Sequence, residues 1–328
     1  LISYFFIFPE LYLGNGNEKL LWSRFFNLGE YSIFDEIYKI EVYPIYHTTL
    51  YIHIISALER LFGFNLYIIK FFILTIKLIT IYLIWLFYFK KELYKFFLLI
   101  FIWVSTPFIF FGEHYFEVDG QISYLLVLLF FYNFNLEKNI RNLFIRVLLL
   151  VICFYLKETL FIILSLAIVI NSLIFRKEFI INLITILISI TIILTTFIFY
   201  CLAIEIPLEI LYEWTIYRFD FLIPTIVVDE NVINENYFNV IKSQIKSVLF
   251  ASKGLIKFSY INFYIIFIYL LFINRNNIIF NKKFIFATIL FLISLIIVFI
   301  TGSYSPRYQI AFILPLLIIL FSKINFNS

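Results

Sequence analysis

The chain has 328 residues, of which 63% are hydrophobic and 14% charged, with 25 Lys and Arg against 21 Asp and Glu for a net charge of +4. Soluble domains carry about a quarter charged residues. The composition therefore argues against an ordinary soluble fold, predicts an integral membrane protein, and gives no reason to expect a nucleic-acid partner.

Apolar runs of about 14–25 residues alternate with short charged clusters, which suits transmembrane helices at about 1.5 Å rise per residue. A β-barrel would instead show weakly alternating segments of about ten residues. Residues 1–13 are short for a span and are interrupted by Pro9 and Glu10. The chain contains no Met even at position 1, so the expectation is a truncated N-terminus or an unusual start. The opening segment then reads as the outer half of a first span, because a signal peptide would carry a basic start and a small-residue cleavage site.

Residues 14–63 are too polar to cross a bilayer, carrying Glu18, Glu30, Asp35, Glu36 and Glu41, and read as the roof of an active site at the membrane surface. In 18–28, Lys19, Ser23 and Asn27 recur at helical spacing opposite Leu21, Phe25 and Leu28. In 47–62, Thr49, His53, Ser56 and Arg60 share one face, and Leu50, Ile54, Leu58 and Leu61 the other. Both patterns predict helices lying in the interface plane, although the second could also be a span.

Charge distribution decides between these. The clusters Lys90/Lys91/Lys95, Lys138/Arg141/Arg146, Arg176/Lys177 and Arg275/Lys282/Lys283 should face the cytoplasm. All of them do so if 47–63 lies flat. Spans are then expected at 66–88, 96–112, 121–135, 143–156, 159–175, 179–203, 258–274, 284–301 and 309–322, about ten with the opening segment. The result is an all-α, polytopic fold in a single domain, 1–328. Its outer connections are 14–65, 113–120, the Lys157-Glu158 turn, 204–257 and 302–308, and the two long ones, 14–65 and 204–257, hold most of the acids. Cys153 and Cys201 lie in apolar runs and read as buried small hydrophobes.

Chemistry gathers in these outer connections. Glu113, His114, Glu117 and Asp119 stand together without a Lys or Arg beside them, as a functional acidic cluster or a solvated turn. Lys157-Glu158 interrupts an apolar stretch, so it is either a tight turn or a charge pair buried in a helix that must meet an anion. Tyr212, Glu213, Trp214, Tyr217, Arg218 and Phe219 suit a phosphate at headgroup level or an aromatic belt. Ser303-Tyr304-Ser305-Pro306-Arg307-Tyr308 repeats that chemistry before the last span. No P-loop, dinucleotide fingerprint or zinc spacing is present. His47, His53 and His114 are too scattered to assign a metal; the acidic loops leave a divalent cation open, and no other cofactor is expected.

The order of these features resembles the GT-C membrane glycosyltransferases, especially the protein O-mannosyltransferases and the aminoarabinose lipid A transferase. Asn17-Glu18 followed by Gly29 is similar to the family's Asp-Glu motif. His47-Thr48-Thr49-Leu50 is similar to its His-Pro-Pro-Leu stretch, and Arg307-Tyr308 with Pro315 to its closing helix. The resemblance implies sugar transfer from a polyprenyl-phosphate carrier to a lipid, glycan or protein acceptor at the outer face of the plasma (inner) membrane. It implies acceptor activation by Glu18 and Asp119, and phosphate contacts from Lys157, Arg218 and Arg307. Asn17, His47, Glu117, Glu158 and Tyr308 complete the implied binding site. Asn17 stands where the family has its catalytic Asp, and Thr48 and Thr49 replace two prolines. An amide cannot act as a general base, so Glu18 or Asp119 takes the role, the motif is aligned elsewhere, or the chain is an inactive member. A transporter or lipid flippase is the other class considered; it would show charges at the midplane and inverted repeats, and no repeat is visible.

Overall fold

Long runs of Leu, Ile and Phe make helices whose ends are set by a few polar residues. The structure, a computed structural model, describes residues 23, 27–28, 33–35, 40–42, 49–63, 65–105, 118–136, 139–203, 268–269, 272, 282–301 and 307–323. Its helices are α1 (Thr49–Phe62), α2 (Leu66–Ile84), α3 (Leu93–Ser105), α4 (Val118–Phe134), α5 (Ile140–Leu156), α6 (Glu158–Ile174), α7 (Phe179–Ala203), α8 (Lys282–Thr301) and α9 (Arg307–Lys323). α2 runs on through a π-turn, Trp85–Phe89, and a 3-10 turn, Arg176–Glu178, leads into α7. One antiparallel ladder, β1 (Ile33–Asp35) with β2 (Ile40–Val42), interrupts this all-helical pattern; the sequence reading did not expect it.

The joints are tight. Gly63, at φ 74°, ends α1 and donates its N–H to the Glu59 carbonyl at 2.8 Å, the left-handed cap that glycine adopts without strain. Asn65 then starts α2, its side-chain oxygen accepting the Tyr67 N–H at 2.9 Å. Asn139 caps α5 in the same way through the Asn142 N–H, at 2.8 Å. Between α5 and α6 a single extended residue, Lys157, suffices.

The helices stand close to their expected places, with informative shifts. α4 begins at Val118, so Asp119 lies in a helical first turn and not in a connection. α9 begins at Arg307, which draws Arg307 and Tyr308 into helix as well. Most of the expected span 258–274 and the end of 96–112 lie outside the described residues.

α9 is the centre of the bundle: every residue from Ala311 to Phe321 is buried. α8, α4 and α3 pack on it, α6 on α8, α5 against α4, α6 and α7, and α1 on α5 and α2. Elsewhere the surface is unusually apolar, with Ile180, Leu187, Leu194 and Phe199 all exposed along α7. Two helices, Tyr67–Phe89 and Phe179–Ala203, are long and apolar enough to cross a membrane by length and composition.

Side-chain contacts identify the two ends of the bundle. At one, Phe87 stacks on Tyr132 with centroids 3.8 Å apart, Phe134 stacks on Phe286 at 4.0 Å, and Lys95 Nζ donates to the Ser322 carbonyl at 3.3 Å. Lys282 pairs there with Glu178. This end joins the C-termini of α4 and α9 to the N-termini of α3 and α8, and it carries Lys90, Lys91, Lys95, Lys282 and Lys283. The opposite end therefore gathers the starts of α4, α6 and α9 with the ends of α5 and α7.

Candidate functional site

That opposite end is where α1 lies. It is held by a knot around Asn27, whose amide donates to Glu59 Oε2 at 2.9 Å and to the Ser56 carbonyl at 3.4 Å. Ser56 Oγ and Arg60 Nε each donate to Asn27 Oδ1 at 2.6 Å. A residue 29 to 33 positions before its partners thus straps α1 through the polar positions 56, 59 and 60. Ser23 and Asn27 are helical, as the spacing in 18–28 predicted; the rest of that segment lies outside the described residues.

The knot changes which side of α1 is buried. The predicted apolar face was Leu50, Ile54, Leu58 and Leu61, yet Leu61 is 74% exposed and the buried residues are Tyr51, Ile52, Ile55 and Ser56. Hydrogen bonds to Asn27 pull the polar face toward the chain, so the buried arc falls between the two predicted faces. Phe62, 62% exposed, is left outward with Leu61.

His53 continues the polar face toward α7. Its Nε2 and the Tyr200 hydroxyl are 3.1 Å apart, with the rings edge-on at 5.5 Å between centroids. Loss of solvent around the ring, and secondarily the Arg60 charge, hold the His53 imidazole below its usual value of 6.5. At neutral pH it is an uncharged ring that can give or take one hydrogen bond.

Of the residues singled out from sequence, Asn17, Glu18, His47, Glu117 and Arg218 lie outside the described residues. Asp119, Arg307 and Tyr308 sit in the first turns of α4 and α9, two helices packed on each other. Lys157 and Glu158 form the α5–α6 joint and are half-buried, which resolves them as a tight turn and not a pair sunk within one helix. Glu158 opens α6, where the helix dipole favours a carboxylate. All five of these share one end of the bundle with His53 and the Asn27 knot.

Sequence reasoning passed over Lys70 and Lys77. They are seven residues apart in α2, hence on one face; Lys70 is 1% exposed, with Nζ 5.7 Å from the Tyr67 ring centre, and Lys77 is half-buried. The signal was available, since two lysines at heptad spacing inside an apolar run cannot both face lipid cheaply. A shallow cleft of about 10 Å³, open to solvent, lies between α1 and α2 against Ile55, Leu58, Glu59, Gly63 and Asn65. Ligand pockets usually enclose about 300–1,000 Å³, so this cleft alone does not house a lipid-linked sugar. Among the described residues no three His, Cys, Asp or Glu side chains converge as a metal site. Cys153 and Cys201 are both buried and not disulfide-bonded. Comparison of the chain with family models, curated proteins and solved structures finds no match.

Proposed function

We propose that this chain is a multi-pass membrane glycosyltransferase of about ten spans that moves a sugar from a polyprenyl-phosphate carrier to an acceptor hydroxyl at the outer face of the plasma (inner) membrane. The reading is supported chiefly by segregation: Asp119, Lys157, Glu158 and Arg307 share one end with the polar face of α1, while lysines crowd the other. By the positive-inside bias the lysine-rich end is cytoplasmic. The outward Leu61 and Phe62 suit α1 resting in the headgroup layer as a roof.

In the proposed reaction the acceptor oxygen attacks the anomeric carbon, whose bond to the carrier phosphate breaks. The acceptor proton passes to a carboxylate, Glu18 or Asp119. The electron pair leaves with the phosphate, where Lys157, Arg218 and Arg307 stabilise the growing negative charge. The sugar centre, cationic in character as its bond to phosphate loosens, is stabilised by the same carboxylates.

Purified protein given polyprenyl-phosphate-linked sugars should transfer them, and Glu18→Gln, Asp119→Asn or Arg307→Ala should lower the rate, by about 100-fold for the carboxylate that acts as base. Unchanged rates in all three variants would remove the site assignment. Lys77, midway along Tyr67–Phe89, favours a second reading as a transporter or lipid flippase, since charges at mid-depth mark transport paths. Translocation of labelled carrier lipid in proteoliposomes without any sugar transfer would decide for it.

A further inference from the structure

At the lysine-rich end five helices close on one guanidinium. Arg146, in the second turn of α5, is 0% exposed. Its Nη1 donates to Asn182 Oδ1 at 3.3 Å and its Nη2 to the Asn133 carbonyl at 3.5 Å, both long for charge-assisted bonds. The orientation of Asn182 is fixed from behind: Ser172 Oγ donates to the Ile168 carbonyl at 2.6 Å, leaving it only to accept, and Asn182 Nδ2 donates to it at 2.7 Å. The amide oxygen therefore has to face Arg146. The guanidinium carbon lies 4.8 Å from the Phe134 ring centre, and Lys282 Nζ lies 5.7 Å from the same ring. Lys282 is paired with Glu178, whose charge also reaches Arg146.

Two features of this cluster call for a ligand. Arg146 Nε, fully buried, is a donor with no hydrogen-bond partner among the described residues, whereas Asn133 Oδ1, also without one there, is an acceptor that an anion does not satisfy. Water could satisfy either atom, but water does nothing for the charge. Arg146 and Lys282 bring two cations to one ring, and Glu178 is the one carboxylate that the described residues set against them. The C-terminal carbonyl of α4 offsets only a fraction of the remainder. A buried cation short of a counter-charge is costly, and guanidinium with ammonium is the pairing that phosphate oxygens match best. The cluster also has an open lip: the Lys282 and Glu178 side chains keep 32% and 22% of their surface, beside exposed Arg176 and Lys283.

We propose that this end carries a phosphate-binding site, in which Lys282 at the lip and Arg146 beneath it hold a phosphate oxyanion that displaces Glu178 from Lys282. The phosphate comes either from the headgroup of an acidic phospholipid or from free phosphate. The site is separate from the sugar-transfer site proposed above, which lies at the other end, and does not depend on it.

The test uses the full chain in lipid nanodiscs. Native mass spectrometry measures retained phosphatidylglycerol against phosphatidylcholine, and thermal unfolding measures protection by inorganic phosphate against chloride at equal ionic strength. Wild type should prefer phosphatidylglycerol, or be protected by phosphate, and the first outcome assigns the lipid while the second assigns the free ion. Lys282→Gln should lower the effect about fivefold, the worth of one surface cation near a phosphate. Glu178→Gln should raise it, because the displaced competitor is gone; a merely structural ion pair would weaken with either change. Both substitutions sit at the lip, so the test does not require Arg146→Gln to fold. No preference for acidic lipid together with no phosphate protection would overturn the site, as would a preference that neither variant alters.

Discussion

At pH 7 the His53 ring is neutral, held so by its lost solvent and by Arg60, and this gives the chain a pH dependence of known sign. In the unfolded chain the ring titrates at its ordinary value near 6.5, and in the folded chain lower. Below about pH 6.5 the unfolded form takes up the proton first, so stability present above that value is lost as pH falls toward the folded value. Thermal unfolding should show wild type losing more on acidification from about pH 7.5 to 5.5 than His53→Gln, which keeps a partner for Tyr200 without the charge. An identical loss in both would mean His53 does not report on folding. The polar face of α1 could be read from spacing because its residues are neighbours in sequence. Arg146 could not: grouped with Lys138 and Arg141 it read as one more charge facing the cytoplasm, and only contacts to Asn133, Asn182 and Phe134, on other helices, bury it.

Helices announced themselves in the sequence more clearly than their joints did. The run of apolar residues fixes where α2, α7 and α8 lie, whereas the π-turn at Trp85–Phe89 has no compositional mark and exists where Phe87 can reach Tyr132. Gly63 is intermediate, since a glycine after a helical pattern suggests a cap without proving one. A Cβ added there meets nothing within 4 Å, so any cost of substitution is backbone strain alone. Gly63→Ala should destabilise by about 1 kcal/mol, the usual penalty for a left-handed L-residue. Gly63→Asn should cost less, because asparagine tolerates that conformation. Equal melting midpoints for Ala and Gly would show that the joint relaxes out of the left-handed region. The rotation of α1 away from its predicted face was not legible, because Asn27 sets it from outside the helix.

Over the whole molecule, orientation is the property most open to a direct check. Cys153 and Cys201 are buried, so engineered thiols can be labelled against a low background. An impermeant maleimide should react from outside with Leu61→Cys and, only after permeabilisation, with Lys283→Cys; both positions are exposed and they lie at opposite ends. Labelling of both from one side would end the membrane-spanning reading. The alternation of helix ends was legible because lysine clusters recur with every second connection. That α9 would be central was not, since its sequence is no more apolar than that of α7, which lies at the surface. Every helix described as packing around α9 precedes it in the chain. During synthesis the walls are therefore made before the pillar they enclose. On the membrane-spanning reading proposed above, α3, α4 and α8 wait with their inner faces borrowed by lipid or by an insertion factor until the ribosome has passed Lys323 and the pillar slides into place.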